Sequence, residues 1–313
     1  MLKFLKLLFF RLLLLFIVYP VVIILMGNSN PMRHNLYYRI GSYGQMYSRL
    51  KDLDTTRNID ILFLGSSHSY RGFDTRIFQK AGYKTFNLGS SFQTPIQSEY
   101  LVEKYIDQLN PKLVIFEASP AAFSNNGVES TLDIISNSKI TFKLFKLAFK
   151  THKPIVCNTL IYSLYRDIFF NEKKKFYENR RRNHDTYIRG GFVEKDITYF
   201  DYKRYREQSW SFIDKQFRAF IKVMNLLSRK NITVILVQAP ITSALYSSYN
   251  NNNEFDDLMK GFGTYYNYNE LIQLDDSLHF YDDDHLNQMG VNIFNKAFIY
   301  TLNKDVNVKE LFN

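Results

Sequence analysis

A serine hydroxyl becomes a useful nucleophile only when a base takes its proton and donors hold the oxyanion that forms. The chain offers such a hydroxyl in Gly65-Ser66-Ser67, directly after the apolar run at 59–64. A turn at the end of a buried strand puts Ser67 at the rim of a sheet, with Gly65 free to turn the backbone tightly. An ordinary strand-ending turn also uses small residues, so the motif needs a partner. That partner is Asp282, three residues before His285 in FYDDDHLNQMG. A carboxylate at this spacing can hold one imidazole nitrogen and leave the other free for a serine. The plainer alternative is a solvated acidic loop made by Asp282, Asp283 and Asp284. Carboxylates and histidine also ligate divalent metals, but no further ligand cluster accompanies them, so neither metal nor cofactor is expected. His68 and Ser69 flank the serine, and Arg71 could take a carboxylate or phosphate beside it; structural roles compete in each case. His279 has no spacing argument and reads as structural.

These groups need elements to position them. NIDILFLG reads as a buried parallel strand, and 74–81 as a short helix with Asp74 as N-cap and Gly82 as its stop. A second strand at 84–89 ends in another Gly-Ser turn. Pro95 opens a helix running to Leu109, and a third strand covers 112–119. Strand and helix alternate, and each strand ends in small or polar residues. This is the pattern of a parallel sheet with its site at the strand C-termini. After a weaker stretch, a long amphipathic helix is expected at 203–229 and a β-branched strand at 231–240. A short helix at 252–261, a strand at 271–276 and a terminal helix at 288–303 complete the reading.

The 313 residues are 46% apolar, enough for a substantial core. The one cysteine, Cys157, rules out an intrachain disulfide and any cysteine metal cluster. Of the net charge of +10, +9 falls between Lys139 and Arg189, so the basicity belongs to an insertion at about 120–200. That segment could grip an anionic polymer or lie on phospholipid headgroups; a solvated surface is the plain alternative. No nucleic-acid partner is expected. Residues 4–26 are apolar except for Lys6 and Arg11, and would extend about 35 Å as a helix, against a hydrocarbon core of roughly 30 Å. Lys3, Lys6 and Arg11 all lie on the N-terminal side, so the N-terminus is expected in the cytoplasm. The division expected is an anchor at 1–29 and an α/β domain at 30–313. A cleaved signal peptide is the alternative, and either reading exports the remainder.

In order and placement these blocks resemble the SGNH/GDSL hydrolases. That superfamily carries a Gly-Asp-Ser-like block after the first strand, a Gly in a second block, an Asn in a third and Asp-x-x-His near the C-terminus. Here the blocks are Gly65-Ser66-Ser67, Asn87-Leu88-Gly89 and Asp282-Asp283-Asp284-His285. The match spans 59–119 and 231–303. The resemblance implies a three-layer α/β/α sandwich around a parallel sheet. It makes Ser67 the nucleophile, His285 the base and Asp282 its orienter, with the N–H groups of Ser67 and Gly89 as oxyanion donors. Two positions depart from the pattern. Ser66 replaces the usual Asp, as in the membrane-anchored D-alanyl transfer proteins, and Glu117-Ala118-Ser119 lacks the expected Asn, leaving the Ser119 hydroxyl as its substitute. The anchored branch, which includes alginate O-acetyltransferase proteins, implies acyl transfer to an envelope polysaccharide alongside a multispanning acyl-donor partner. A carbohydrate esterase, or a non-catalytic glycan-binding scaffold, is the alternative.

Overall fold

The computed structural model describes residues 1–29, 35–41, 43–201 and 203–312, so the start of the domain expected at 30–313 lies partly outside them. In chain order the first elements are α1 (Leu2–Asn28), α2 (Met46–Thr55), β1 (Ile61–Leu64), α3 (Ser67–Gly72), α4 (Thr75–Lys80) and β2 (Thr85–Asn87). Next come α5 (Pro95–Leu109), β3 (Leu113–Glu117), α6 (Pro120–Phe123), α7 (Val128–Asn137), α8 (Phe142–Thr151), α9 (Pro154–Phe170) and α10 (Glu172–Lys175). A short antiparallel sheet follows, β4 (Arg181–Arg182), β5 (Asp185–Ile188) and β6 (Phe192–Lys195). The chain continues through α11 (Asp214–Arg229), β7 (Thr233–Gln238), α12 (Ser243–Ser248) and α13 (Asn252–Lys260). It ends with β8 (Tyr265–Asn267), α14 (Tyr268–Leu271), α15 (Gln288–Lys304) and α16 (Val306–Phe312). The chain forms two compact units, residues 1–40 with 131–177 and residues 41–130 with 178–313.

The second unit is an α/β sandwich around a five-stranded parallel sheet of order β2-β1-β3-β7-β8. Successive side chains of a strand point to opposite faces, and both faces here are covered. Ile61, Phe63, Leu113, Ile115, Ile235 and Val237 share one core with Phe73, Phe78 and, from α15, Phe294 and Phe298. On the other face Phe116 meets Phe220 of α11 edge to face, and α11 packs along α5. Burial on both sides explains why β1 and β3 read as unbroken apolar runs. In such a sheet the chain reverses direction between β1 and β3, and the crevice beyond their C-termini is where ligands sit.

Two expected elements differ. The helix expected from 203 begins only at Asp214. Residues before it are instead held by α12 and α13: Gln208 bridges to Tyr249, and the Trp210 ring stacks on Tyr249 at 3.5 Å. The expected strand at 271–276 is not formed. The fifth strand is Tyr265–Asn267, and 268–271 is a helical turn begun by the Asn267 side chain. Edge strands this short carry little periodic signal. The antiparallel sheet at 181–195 was also not expected.

The first unit contains α1, the part of α7 from Thr131, and α8 to α10. α1 is long and apolar enough to cross a bilayer.

Asn295, fully buried on α15, ties that helix to the end of α3. It donates to the Gly72 carbonyl at 2.6 Å and accepts from the Asp74 N–H at 2.8 Å. Each buried backbone group left without a partner costs about 1–3 kcal/mol. Asn295→Leu should therefore lower the melting temperature by several degrees in calorimetry; an unchanged melting temperature would contradict this tie.

Candidate active site

Ser67 opens α3 immediately after β1. Gly65 makes this possible: its φ is +145°, and a Cβ there would lie 2.6 Å from Glu117 Cβ. Ser66 caps α3, its Oγ accepting from the His68 N–H at 3.3 Å. The helix is fixed to the second loop by Asn87. The Asn87 side chain donates to the Ser69 carbonyl at 2.7 Å and accepts from Ser69 Oγ at 3.1 Å. It also accepts from the Gly89 N–H at 3.1 Å.

The partner loop, 279–287, is closed on itself. Tyr281 N–H donates to the His285 carbonyl at 3.1 Å, and Asn287 N–H to the His279 carbonyl at 2.9 Å. Asn287, fully buried, caps α15 by accepting from the Met289 and Gly290 N–H groups, and donates back to the Leu278 carbonyl at 2.8 Å. Within the loop Asp282 Oδ1 accepts the N–H groups of Asp284 and His285. A tight turn of this kind explains the three-residue spacing, because it brings the carboxylate to the histidine's own ring.

The two ends meet. His285 Nε2 lies 2.7 Å from Ser67 Oγ, and its Nδ1 lies 3.0 Å from both oxygens of Asp282. In this geometry the Nδ1–H tautomer leaves the Nε2 lone pair facing the hydroxyl. Burial opposes a charge on His285, but first the Asp284 carboxylate and then the Asp282 hydrogen bond outweigh it, so its pKa is raised.

Asp284 and Glu117 are acids whose place here the sequence reading missed. Asp284 Oδ1 is 2.7 Å from His285 Nδ1, and its Oδ2 is 3.4 Å from His68 Nε2. Beyond burial, which favours the neutral acid, the two imidazoles hold the Asp284 pKa well below the carboxylate range. Glu117 opens the Glu117-Ala118-Ser119 block that lacks the expected Asn, and accepts from both the N–H and the Oγ of Ser66, at 3.1 and 2.9 Å. Its other oxygen lies 3.7 Å from His68 Nδ1. His68, 8% exposed, thus sits between two carboxylates. Burial opposes its charge, but Asp284 and then Glu117 outweigh it and push its pKa up to about 10. The acidic run and the polar residue closing β3 were the available signals; neither names its partner.

Other expected residues divide. The Arg71 fork is committed to Asp185 by two bonds of 2.9 and 2.8 Å, with Tyr70 and Tyr281 beside it. Ser119, 4% exposed and two residues past Glu117, has a hydroxyl with no hydrogen-bond partner among the described residues. Gly89 N–H is turned to Asn87 and not outward. His279 Nδ1 accepts from the Asp275 N–H at 2.8 Å. His68, Arg71, Asp284 and His285, with Ala239, Pro240 and Leu286, line a small hollow. Donor atoms of His68, Asp284 and His285 lie within 4.8 Å of one another. Both His285 nitrogens already face other groups, however, which suits proton transfer better than ligation.

No family model matches the chain, and no curated protein matches it significantly. Among solved structures, a provisionally assigned acylhydrolase from Bacteroides fragilis is 12% identical, over 84% of this chain and 98% of that one, with a TM-score of 0.42. A GDSL-like lipase from Bacteroides thetaiotaomicron is 13% identical, over 84% and 99%, with a TM-score of 0.41. Likenesses at this level assign no activity to the chain, whose fold rests on its own sheet order and layers.

His68 makes a pH-dependent contribution to stability. Its pKa rises from about 6.5 unfolded to about 10 folded. The stabilisation is therefore complete below the unfolded value and is lost as pH climbs through the folded one. The gap in urea midpoint between the wild type and His68→Gln should shrink steadily over that interval. A gap independent of pH would show that His68 is not charged in the folded protein.

Proposed function

We propose that the chain is a serine-dependent O-acyltransferase acting outside the cytoplasmic membrane on an envelope glycan or related polymer, through an acyl-Ser67 intermediate. The observation that carries this reading is the 2.7 Å contact between Ser67 Oγ and His285 Nε2, with Asp282 on Nδ1. Ser67 Oγ attacks the acyl carbonyl carbon while its proton passes to His285. The tetrahedral intermediate collapses, and the leaving alkoxide takes that proton from His285. In the second half an acceptor hydroxyl gives its proton to His285 and attacks the acyl-Ser67 carbonyl, and Ser67 Oγ leaves reprotonated. The oxyanion donors in this reading are the N–H groups of Ser67 and Gly89, the latter bonded to Asn87, and the Ser119 hydroxyl, which has no hydrogen-bond partner among the described residues.

α1 supports the membrane part of the reading. Three cationic residues in its first half favour a cytoplasmic N-terminus, and a chain tethered this way meets membrane-linked substrate at raised effective concentration. Transfer is preferred to hydrolysis because the anchor and Gly65-Ser66-Ser67 resemble the acyl-transferring branch of the SGNH proteins. A multispanning partner would supply the acyl group. One observation favours the non-catalytic rival: the Glu117-Ala118-Ser119 block lacks the expected Asn, and with it one oxyanion donor. Such a loss is worth about 2.7–4 kcal/mol in the transition state.

With a p-nitrophenyl acetyl ester the protein should give a burst of nitrophenol and then pass the acetyl group to an added oligosaccharide. Rapid release of free acetate with no transfer would replace transfer by hydrolysis, and no burst at all would favour the scaffold. Ser67→Ala should cost roughly 10³–10⁶ in rate without altering folding.

The base must be neutral to accept the proton, so activity falls as pH drops through the raised His285 pKa. The acid limb of kcat/KM should therefore lie above the ordinary imidazole value of about 6.5. Asp284→Asn removes the leading cause of the shift and should move that limb to lower pH. A limb that stays in place would contradict the assigned role of Asp284.

A further inference from the structure

The helical unit carries an outer face of a kind that water-exposed surfaces rarely sustain. α8 buries Leu144, Leu147 and Ala148 within its unit. It turns Phe142, Lys146 and Phe149 outward at i, i+4 and i+7, with Phe142 75% exposed and Phe149 65%. Lys146 Nζ lies 5.1 Å from the centroid of the Phe142 ring. At the end of α9, Ile168 and Phe169 are exposed to 63% and 71%, and the exposed Lys174 and Lys175 follow.

What covers this face is indicated by α1. That helix is exposed along most of its length, but Ile23 is buried against Tyr162 and Leu36. Residues 19, 23 and 27 fall on one side of a helix, and all three meet α9. Tyr19 O–H donates to Asn158, Gly27 is so close that a Cβ would lie 2.3 Å from the Tyr162 ring, and Tyr162 O–H donates to Asn28 at 2.9 Å. α9 is thereby held beside the C-terminal third of α1, and α8 packs on α9. If α1 spans a bilayer with its N-terminus inside, that third is the end reaching the outer boundary.

We propose that α8 and the end of α9 rest on the outer leaflet of the bilayer that α1 crosses. Phe142, Phe149 and Phe169 enter the boundary between headgroups and acyl chains, and Lys146 pairs with anionic headgroups. Aromatic rings interleaved with lysines on one helix face are suited to this boundary, because each long lysine stem keeps its charge at the water side while its methylenes lie along apolar surface. The inference rests on the membrane-spanning reading of α1.

The test uses the full chain in nanodiscs of phosphatidylcholine and phosphatidylglycerol, with Cys157→Ser as background. Single nitroxides are placed through Phe16→Cys on α1, Phe149→Cys, Phe169→Cys, and Tyr300→Cys as the aqueous control. Labels at 149 and 169 should match 16 in favouring oxygen over a water-soluble nickel chelate, at shallower depth, whereas 300 favours the chelate. The depth at 149 should fall in phosphatidylcholine alone. Labels at 149 and 169 that behave like 300 while 16 reports lipid would overturn the inference and leave the spanning reading intact. Labels shielded from both probes would overturn it in favour of a protein partner. An aqueous label at 16 would overturn both.

Discussion

One hydrogen bond joins residues 218 positions apart, from the loop after the first strand to the loop before the last long helix. Ser67 and His285 meet only if β1, α3, the 279–287 loop and α15 are all correctly placed. The structure provides a fixed support for each. Gly65 admits a turn that a side chain would block against Glu117, and Asn87 clamps α3 to the neighbouring loop. Asn287 closes the partner loop, and Asn295 ties α3 to α15 behind the site. Three of these supports are buried asparagines, each satisfying backbone groups that would otherwise be orphaned.

The electrostatics form a second layer over this geometry. His285 is contacted by two carboxylates, Asp282 in the hydrogen bond and Asp284 by proximity, and Asp284 is shared with His68. A buried imidazolium at His68 offsets the negative charge that Glu117 and Asp284 bring to the site. If Ser67 and His285 act as proposed, the arrangement differs from a simple triad in that the base is charged more readily, where the nucleophile needs it neutral.

Legibility in the sequence followed the physics of each element. β1 and β3 were readable because burial on both faces leaves no polar alternation, and α5 because Pro95 marks its start. Asp74 as cap and Gly82 as stop placed α4 within a residue. The Ser67, Asp282 and His285 set was visible from local spacing and chain order. Residues whose role depends on a distant partner were not. Glu117 gave no signal of its role because its hydrogen bonds go to Ser66, the distant cap of α3. Asp284 read as one acid of a run because one of its two imidazoles, His68, lies far away in sequence on α3. Residues 203–213 read as helix because the Trp210–Tyr249 stack that holds them otherwise cannot be inferred from spacing.

Trapping a covalent adduct shows whether His285 makes Ser67 a nucleophile. A fluorophosphonate should add one label to the wild-type protein, located at Ser67 by peptide mass spectrometry, and labelling should collapse in His285→Ala while its circular dichroism stays unchanged. A label elsewhere, or equal labelling of the two proteins at Ser67, would contradict the account.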